Sequence, residues 1–112
     1  MPSARAAAQA YIEAVNAGDL DTLVGLFHPE AVLAHPAGTF RGRPAIAGFY
    51  RDLVLAFQAQ VRPVGFYEAG PACVAEVEGS SPLGAPDQLQ AACDVFEVDS
   101  HGAIAALRIY YR

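Results

Sequence analysis

Asp94 is the residue whose setting most needs an explanation. It lies in Ala91-Ala92-Cys93-Asp94-Val95-Phe96, a segment that reads as a strand buried on both faces. An unpaired carboxylate there must find a partner or take up a proton, because desolvation raises a carboxyl pKa by up to several units. A protonated acid becomes a hydrogen-bond donor; the alternative is a bulge or an exposed edge. Tyr11 shares a helical face with Ala7, Ala8, Ala14 and Val15, small neighbours that leave room for a ring whose hydroxyl then needs a partner. Tyr50 is similarly set on a later helix, and either tyrosine also fits a plain core position. His35 ends a short apolar run just before Pro36. Its ordinary pKa of about 6.5 leaves it largely neutral near pH 7, able to accept a proton, although a solvated surface histidine reads the same way.

Other chemistries have little to stand on. No Gly-x-Gly-x-x-Gly, P-loop, paired-cysteine motif or His-x-x-x-His occurs, and His28, His35 and His101 are irregularly spaced near turns. No cofactor and no metal are expected. Cys73 and Cys93 both lie in strand-like apolar runs and read as small buried thiols rather than a disulfide.

These side chains need a scaffold, and 112 residues suit a single domain spanning 1–112. Apolar residues make up 54% and charged residues 17%, enough to bury a core. The net charge is −5, with seven scattered arginines and no lysine, which argues against a nucleic-acid partner. Neither an apolar signal core nor a membrane-spanning run is seen, so the expected location is cytoplasmic.

Periodicity runs from helical to strand-like, which predicts an α+β fold. Ser3 can cap a first helix to about Val15, ended by Asn16-Ala17-Gly18. A second, short helix starts at Asp19, with Leu20, Leu23, Val24 and Phe27 on one face until His28-Pro29 stops it. Ala31–His35 and Thr39-Phe40-Arg41 suggest a hairpin. Pro44 suits a first helical position, and Ile46, Phe49, Tyr50, Leu53 and Phe57 predict the longest helix, to about residue 58. Strands follow at Ala59–Tyr67, Ala72–Glu78, Gln88–Val98 and Ala103–Tyr111, punctuated by Ala69-Gly70-Pro71, by a Gly-, Ser- and Pro-rich stretch over 79–86, and by Asp99-Ser100-His101-Gly102. The last of these fits a type I turn with Gly102 left-handed, closing an antiparallel hairpin.

The segment Tyr11-Ile12-Glu13-Ala14-Val15-Asn16-Ala17-Gly18-Asp19-Leu20-Asp21-Thr22-Leu23-Val24-Gly25-Leu26-Phe27 resembles the opening of the bacterial ketosteroid isomerases (steroid delta-isomerases) and their SnoaL-like relatives in the nuclear-transport-factor-2-like superfamily. Arg41-Gly42 through Ile46, Phe49-Tyr50, and Cys93-Asp94-Val95-Phe96-Glu97-Val98 followed by His101-Gly102 extend it over nearly the whole chain. The resemblance implies a cone in which three helices and a curved, mostly antiparallel sheet enclose one apolar pocket. It further implies that Tyr11 and a protonated Asp94 donate hydrogen bonds to a ketosteroid oxygen as it becomes a dienolate, with Tyr50 supporting Tyr11. A carboxylic acid held neutral by an apolar site is a known property of that enzyme family, so the burial argument for Asp94 is not independent of it. His35 stands where those isomerases carry an aspartate as general base.

Three readings follow. One is an isomerase for a β,γ-unsaturated 3-ketosteroid or similar ketone, with His35 as base and Tyr11 and Asp94 as oxyanion donors. Another is a SnoaL-like cyclase or dehydratase acting on a polyketide or terpenoid through His35 and Asp94. The third is a non-catalytic small-molecule-binding or dimerising module. Epoxide hydrolysis would want an Asp-Arg-Asp set, of which only Asp94 and Arg108 are on offer. Strand alternation puts Ile104, Ala106, Arg108 and Tyr110 on one face and Ala105, Leu107, Ile109 and Tyr111 on the other. Both faces want cover, so the expected partners are a steroid-like apolar molecule and a second copy docked on the sheet.

Overall fold

The computed structural model describes residues 3–80 and 90–111. Helix α1 (Ala4–Ala17) starts where Ser3 Oγ accepts from the Ala6 N–H at 2.9 Å and ends at Gly18 with φ 67°. That left-handed residue lets the Gly18 and Asp19 N–H groups close on the Val15 and Ala14 carbonyls. Asp19 then caps α2 (Leu20–Gly25), its Oδ1 accepting from the Thr22 N–H at 3.1 Å.

Helix α2 stops before Phe27, short of the predicted His28-Pro29 boundary. The sheet takes the chain first: Ile104 N–H donates to Leu26 O at 2.8 Å, and β1 runs Phe27–His35. Pro29 is tolerated because β1 makes no ladder pairs between Phe27 and Val32, so the missing N–H costs nothing. Strand β2 (Gly38–Arg41) folds back on β1, with His35 opposite Gly38.

Helix α3 (Arg43–Leu53) has Pro44 in its first turn. It is shorter than the 14-residue α1 and not the longest helix, as the periodicity had suggested. Val54 leaves helical geometry, a 3₁₀ turn covers Leu55–Phe57, and Gln58 takes φ 54°, swinging the chain into β3 (Gln60–Ala69). Leu53 and Phe57, expected on the buried stripe, are instead exposed. The Asn16 side chain fixes this entry by pairing with the Val61 backbone: its Nδ2 donates to Val61 O at 2.8 Å and its Oδ1 accepts from Val61 N–H at 2.6 Å.

Strands β4 (Ala72–Ser80), β5 (Gln90–Val98) and β6 (Ile104–Tyr111) complete a six-stranded curved sheet in the order β2-β1-β6-β5-β4-β3. Among the described residues, only β1 and β6 pair in parallel. Register shifts in β1, β3 and the β5–β6 pair mark the irregularities at which such a sheet bends. The predicted Gly-, Ser- and Pro-rich break lies outside the described residues beyond Ser80, as does the predicted start of the fifth strand at Gln88.

Burial is one-sided. In β5, Ala92, Asp94, Phe96 and Val98 face the helices while Cys93 is exposed, correcting the expectation of a strand covered on both faces. Cys73 is buried and Cys93 is not, so they do not share the buried character expected of them. In β6, Ala106 faces Glu97 but Ile104 faces Val98, so Ala105 is the extra residue and Ile104 turns inward instead of sharing the face of Arg108. Among the described residues, no helix is long and apolar enough to cross a membrane.

Candidate active site

Three elements converge on Tyr11. Helix α1 presents it inward above Ala7, Ala8 and Ala14, α3 brings Tyr50, and β5 supplies Phe96, whose ring centroid is 5.1 Å from that of Tyr11. The Tyr11 and Tyr50 hydroxyls lie 2.7 Å apart and hydrogen-bond. Burial pushes both phenols well above the usual tyrosine range, and the Asp94 charge adds to the effect on each.

Asp94 is the one buried charged residue among those described, 5% exposed, with no hydrogen-bond partner among them. Burial raises its carboxyl from 3.8 to about 7. An acid in that state can donate a hydrogen bond when neutral and accept a proton when ionised. Arg108 offers it no help: Asp94 pairs across the ladder with Ile109, so Arg108 lies on the opposite face, where it forms an ion pair with Glu97. The partial Asp-Arg-Asp set is therefore not assembled.

His35 does not meet Asp94 directly. It ends β1, with its ring 4.8 Å from Phe49 and 5.2 Å from Tyr111 between centroids. Its Nδ1 accepts from the Ala37 N–H at 2.9 Å, and its Nε2 lies 2.8 Å from the Tyr111 hydroxyl. A backbone N–H can only donate, so Nδ1 is the unprotonated nitrogen and the neutral ring carries its hydrogen on Nε2, aimed at Tyr111. Burial lowers the His35 pKa.

Tyr111 is the residue that sequence reasoning missed. It lies two positions beyond Ile109, the ladder partner of Asp94, so it is the diagonal neighbour of Asp94 on the inner face. The Asp99–Gly102 turn alone would have set Arg108 opposite Asp94; the extra residue Ala105 shifts the pairing by one to Ile109 and so brings Tyr111 to the inner face. Asp99 Oδ1 accepts from the His101 and Ala103 N–H groups, and Gly102 has φ 83°. A shallow depression of 280 Å³ lined by Glu76, Ala91, Ala92, Cys93, Tyr110 and Tyr111 lies beside this group, and Tyr11, Tyr50 and Asp94 do not line it. Among the described residues, no cluster of histidine, cysteine, aspartate or glutamate could hold a metal ion.

The SnoaL-like domain family model matches residues 8–107. This chain belongs to the SnoaL-like family. Solved structures place the SnoaL-like chain in the nuclear-transport-factor-2-like fold. A Mycobacterium tuberculosis protein in complex with estradiol-17β-hemisuccinate superposes with a TM-score of 0.87 at 16% identity, covering 100% of this chain and 95% of its own. The epoxide hydrolase/cyclase-like enzyme SalBIII of pyran-ring formation in the polyether salinomycin gives 0.85 at 19%, covering 96% and 89%. A computationally designed 17-OHP binder gives 0.84 at 16%, covering 100% and 95%. At these identities the likeness is one of fold, shared by this SnoaL-like chain with enzymes and with steroid-binding proteins.

Proposed function

We propose that this protein is an enzyme that moves a proton within an apolar ketone, shifting a β,γ double bond into conjugation through a dienolate, with a steroid-like ketone as substrate. A base removes the α-carbon proton, the electron pair moves onto the carbonyl oxygen, and the proton returns at the γ carbon. Tyr11 and neutral Asp94 donate hydrogen bonds to that oxygen, and Tyr50 supports Tyr11. The observation that carries the reading is Asp94: a buried acid titrating near neutrality, free of protein partners among the described residues, beside a hydrogen-bonded tyrosine pair. Donors fixed in a dry site act on developing negative charge with little reorganisation. Steroid ligands in two neighbours of the same fold support the ligand class.

His35 is the proposed base. In the resting arrangement its Nδ1 lone pair is taken by Ala37 N–H, so the ring must release that contact before it collects a proton. That observation favours a second reading, a SnoaL-like cyclisation or dehydration in which Asp94 itself takes and returns the proton. Two copies are proposed to pair through the outer sheet face, where Tyr67 and Tyr110 are exposed.

The test is the ultraviolet appearance of conjugated enone from a β,γ-unsaturated 3-ketosteroid. Turnover reduced about a hundredfold in Tyr11→Phe and abolished in His35→Ala supports the isomerase. No turnover above buffer rejects it. Estradiol then separates the remaining possibilities, since an oxyanion site shifts the phenol's absorption toward phenolate and a plain apolar cavity does not.

A further inference from the structure

The His35–Tyr111 contact has a fixed direction. At one end is the Ala37 N–H, which can only donate, so His35 Nδ1 accepts and Nε2–H must donate to the Tyr111 oxygen. A hydroxyl that accepts on its lone pair keeps its own hydrogen to give. On the inner face, the acid two ladder positions back from Tyr111 is Asp94, within reach for a side chain as long as tyrosine.

We infer that Tyr111 is a positioning residue: accepting from His35 Nε2–H, it turns its own O–H inward as a hydrogen-bond donor toward the Asp94 carboxylate. Two bonds of the path are formed in the resting structure, Ala37 N–H to His35 and His35 to Tyr111, both donors pointing the same way; the third, from the Tyr111 O–H to Asp94, forms as the carboxyl ionises, and each bond polarises the next. Other groups face Asp94 from each element around it. Tyr11 comes from α1 and Tyr50 from α3, already bonded to each other, while β4 sets the uncharged Ala75 opposite. The Tyr11–Tyr50 bond uses one of that pair's two hydroxyl hydrogens, and Tyr111 is the hydroxyl that also meets His35.

In this arrangement Tyr111 stabilises the ionised form of Asp94 and sets how readily the acid gives up its proton. His35 acts by orienting that hydroxyl while remaining neutral. The inference deepens the proposed function, yet its test needs no substrate, so failure of one is distinguishable from failure of the other.

Carboxyl carbon resonances of Asp94 are followed by NMR through a pH titration of the whole protein, beside Tyr111→Phe and His35→Phe variants whose folding is checked by thermal melting. Imidazole nitrogen shifts are recorded in parallel. Losing a charge-assisted hydrogen bond in Tyr111→Phe raises the Asp94 midpoint by about one pH unit, a tenfold change in its ionisation constant. The His35→Phe variant raises it by a smaller amount. In the wild type, His35 is neutral with Nδ1 unprotonated above the Asp94 midpoint. A midpoint unmoved or lowered in Tyr111→Phe overturns the inference. A midpoint moved by Tyr111→Phe but not by His35→Phe, or a hydrogen found on Nδ1 above the wild-type midpoint, removes His35 from the chain and overturns the directed path.

Discussion

Replacing Asp94 by asparagine removes the titrating proton while keeping shape and a donor, so its effect on stability should depend on pH in a calculable way. The carboxyl titrates at 3.8 in ordinary surroundings and at about 7 in the folded protein, raised by burial. Between those values the unfolded chain binds fewer protons than the folded one. The folded state therefore loses stability as pH rises through this window, and the loss levels off above about 7. From about pH 5 to the folded midpoint is about two units, each worth about 1.4 kcal/mol, so wild type should lose about 3 kcal/mol from this group alone. Asparagine does not titrate, and every other group cancels in the comparison. The stability difference between Asp94→Asn and wild type should therefore move in the variant's favour by about 3 kcal/mol from about pH 5 to about pH 8. Urea unfolding of both proteins at several pH values in that range measures it. A difference constant with pH, or one moving toward wild type as pH rises, would show that Asp94 is not held neutral by burial.

The entry to β3 supplies a second prediction: Asn16→Ala strands the half-buried Val61 N–H and C=O and should destabilise the fold by about 2 kcal/mol, read as a lower urea midpoint with unchanged slope. Cys93 should react with a thiol reagent in the native protein, whereas Cys73, buried and with its thiol pKa raised by that burial, should react only on unfolding. Counting free thiols with and without denaturant checks this. Restoring the isomerases' carboxylate with His35→Asp should increase enone formation if the pocket takes a steroid ketone, and unchanged steady-state rates would count against that substrate. Sedimentation at micromolar concentration should show a dimer, and a monomer would remove the proposed pairing through Tyr67 and Tyr110.

The parts of the fold set by short-range chemistry were legible. Ser3, Gly18 and Asp19 mark helix ends through caps that need only neighbouring residues, and Asp99-Ser100-His101-Gly102 specifies its own turn. Elements decided by long-range pairing were not. Leu20, Leu23, Val24 and Phe27 carry a helical repeat, but Phe27 is drawn into the sheet by Ile104, a residue far along the chain. Ile104 itself sits on the wrong face by simple alternation because a bulge at Ala105 resets the register. Cys93 and Asp94 stand in one apolar run, and nothing local says that one points out and the other in. At the site, the Tyr11–Tyr50 contact was implied only by family resemblance. Tyr111 went unnoticed because tyrosines at a strand end are common, and its relation to Asp94 exists only once β5 and β6 are aligned.

The strand order carries a consequence for how the molecule comes together. The β1–β2 hairpin and the β3–β4–β5 meander share no ladder of their own, and β6, the last of the six strands, is wedged between them. Until β6 is in place, β1 and β5 each keep an open edge with unpaired backbone groups, the feature that invites neighbouring chains to add on. Closing that gap brings together residues far apart in sequence, the slow kind of step in folding. His35 on one half and Asp94 on the other come into communication in the same event, through the strand that bears Tyr111. A ribosome-bound chain lacking that strand would hold the tyrosine pair and the acid, yet have nothing to connect them to the histidine.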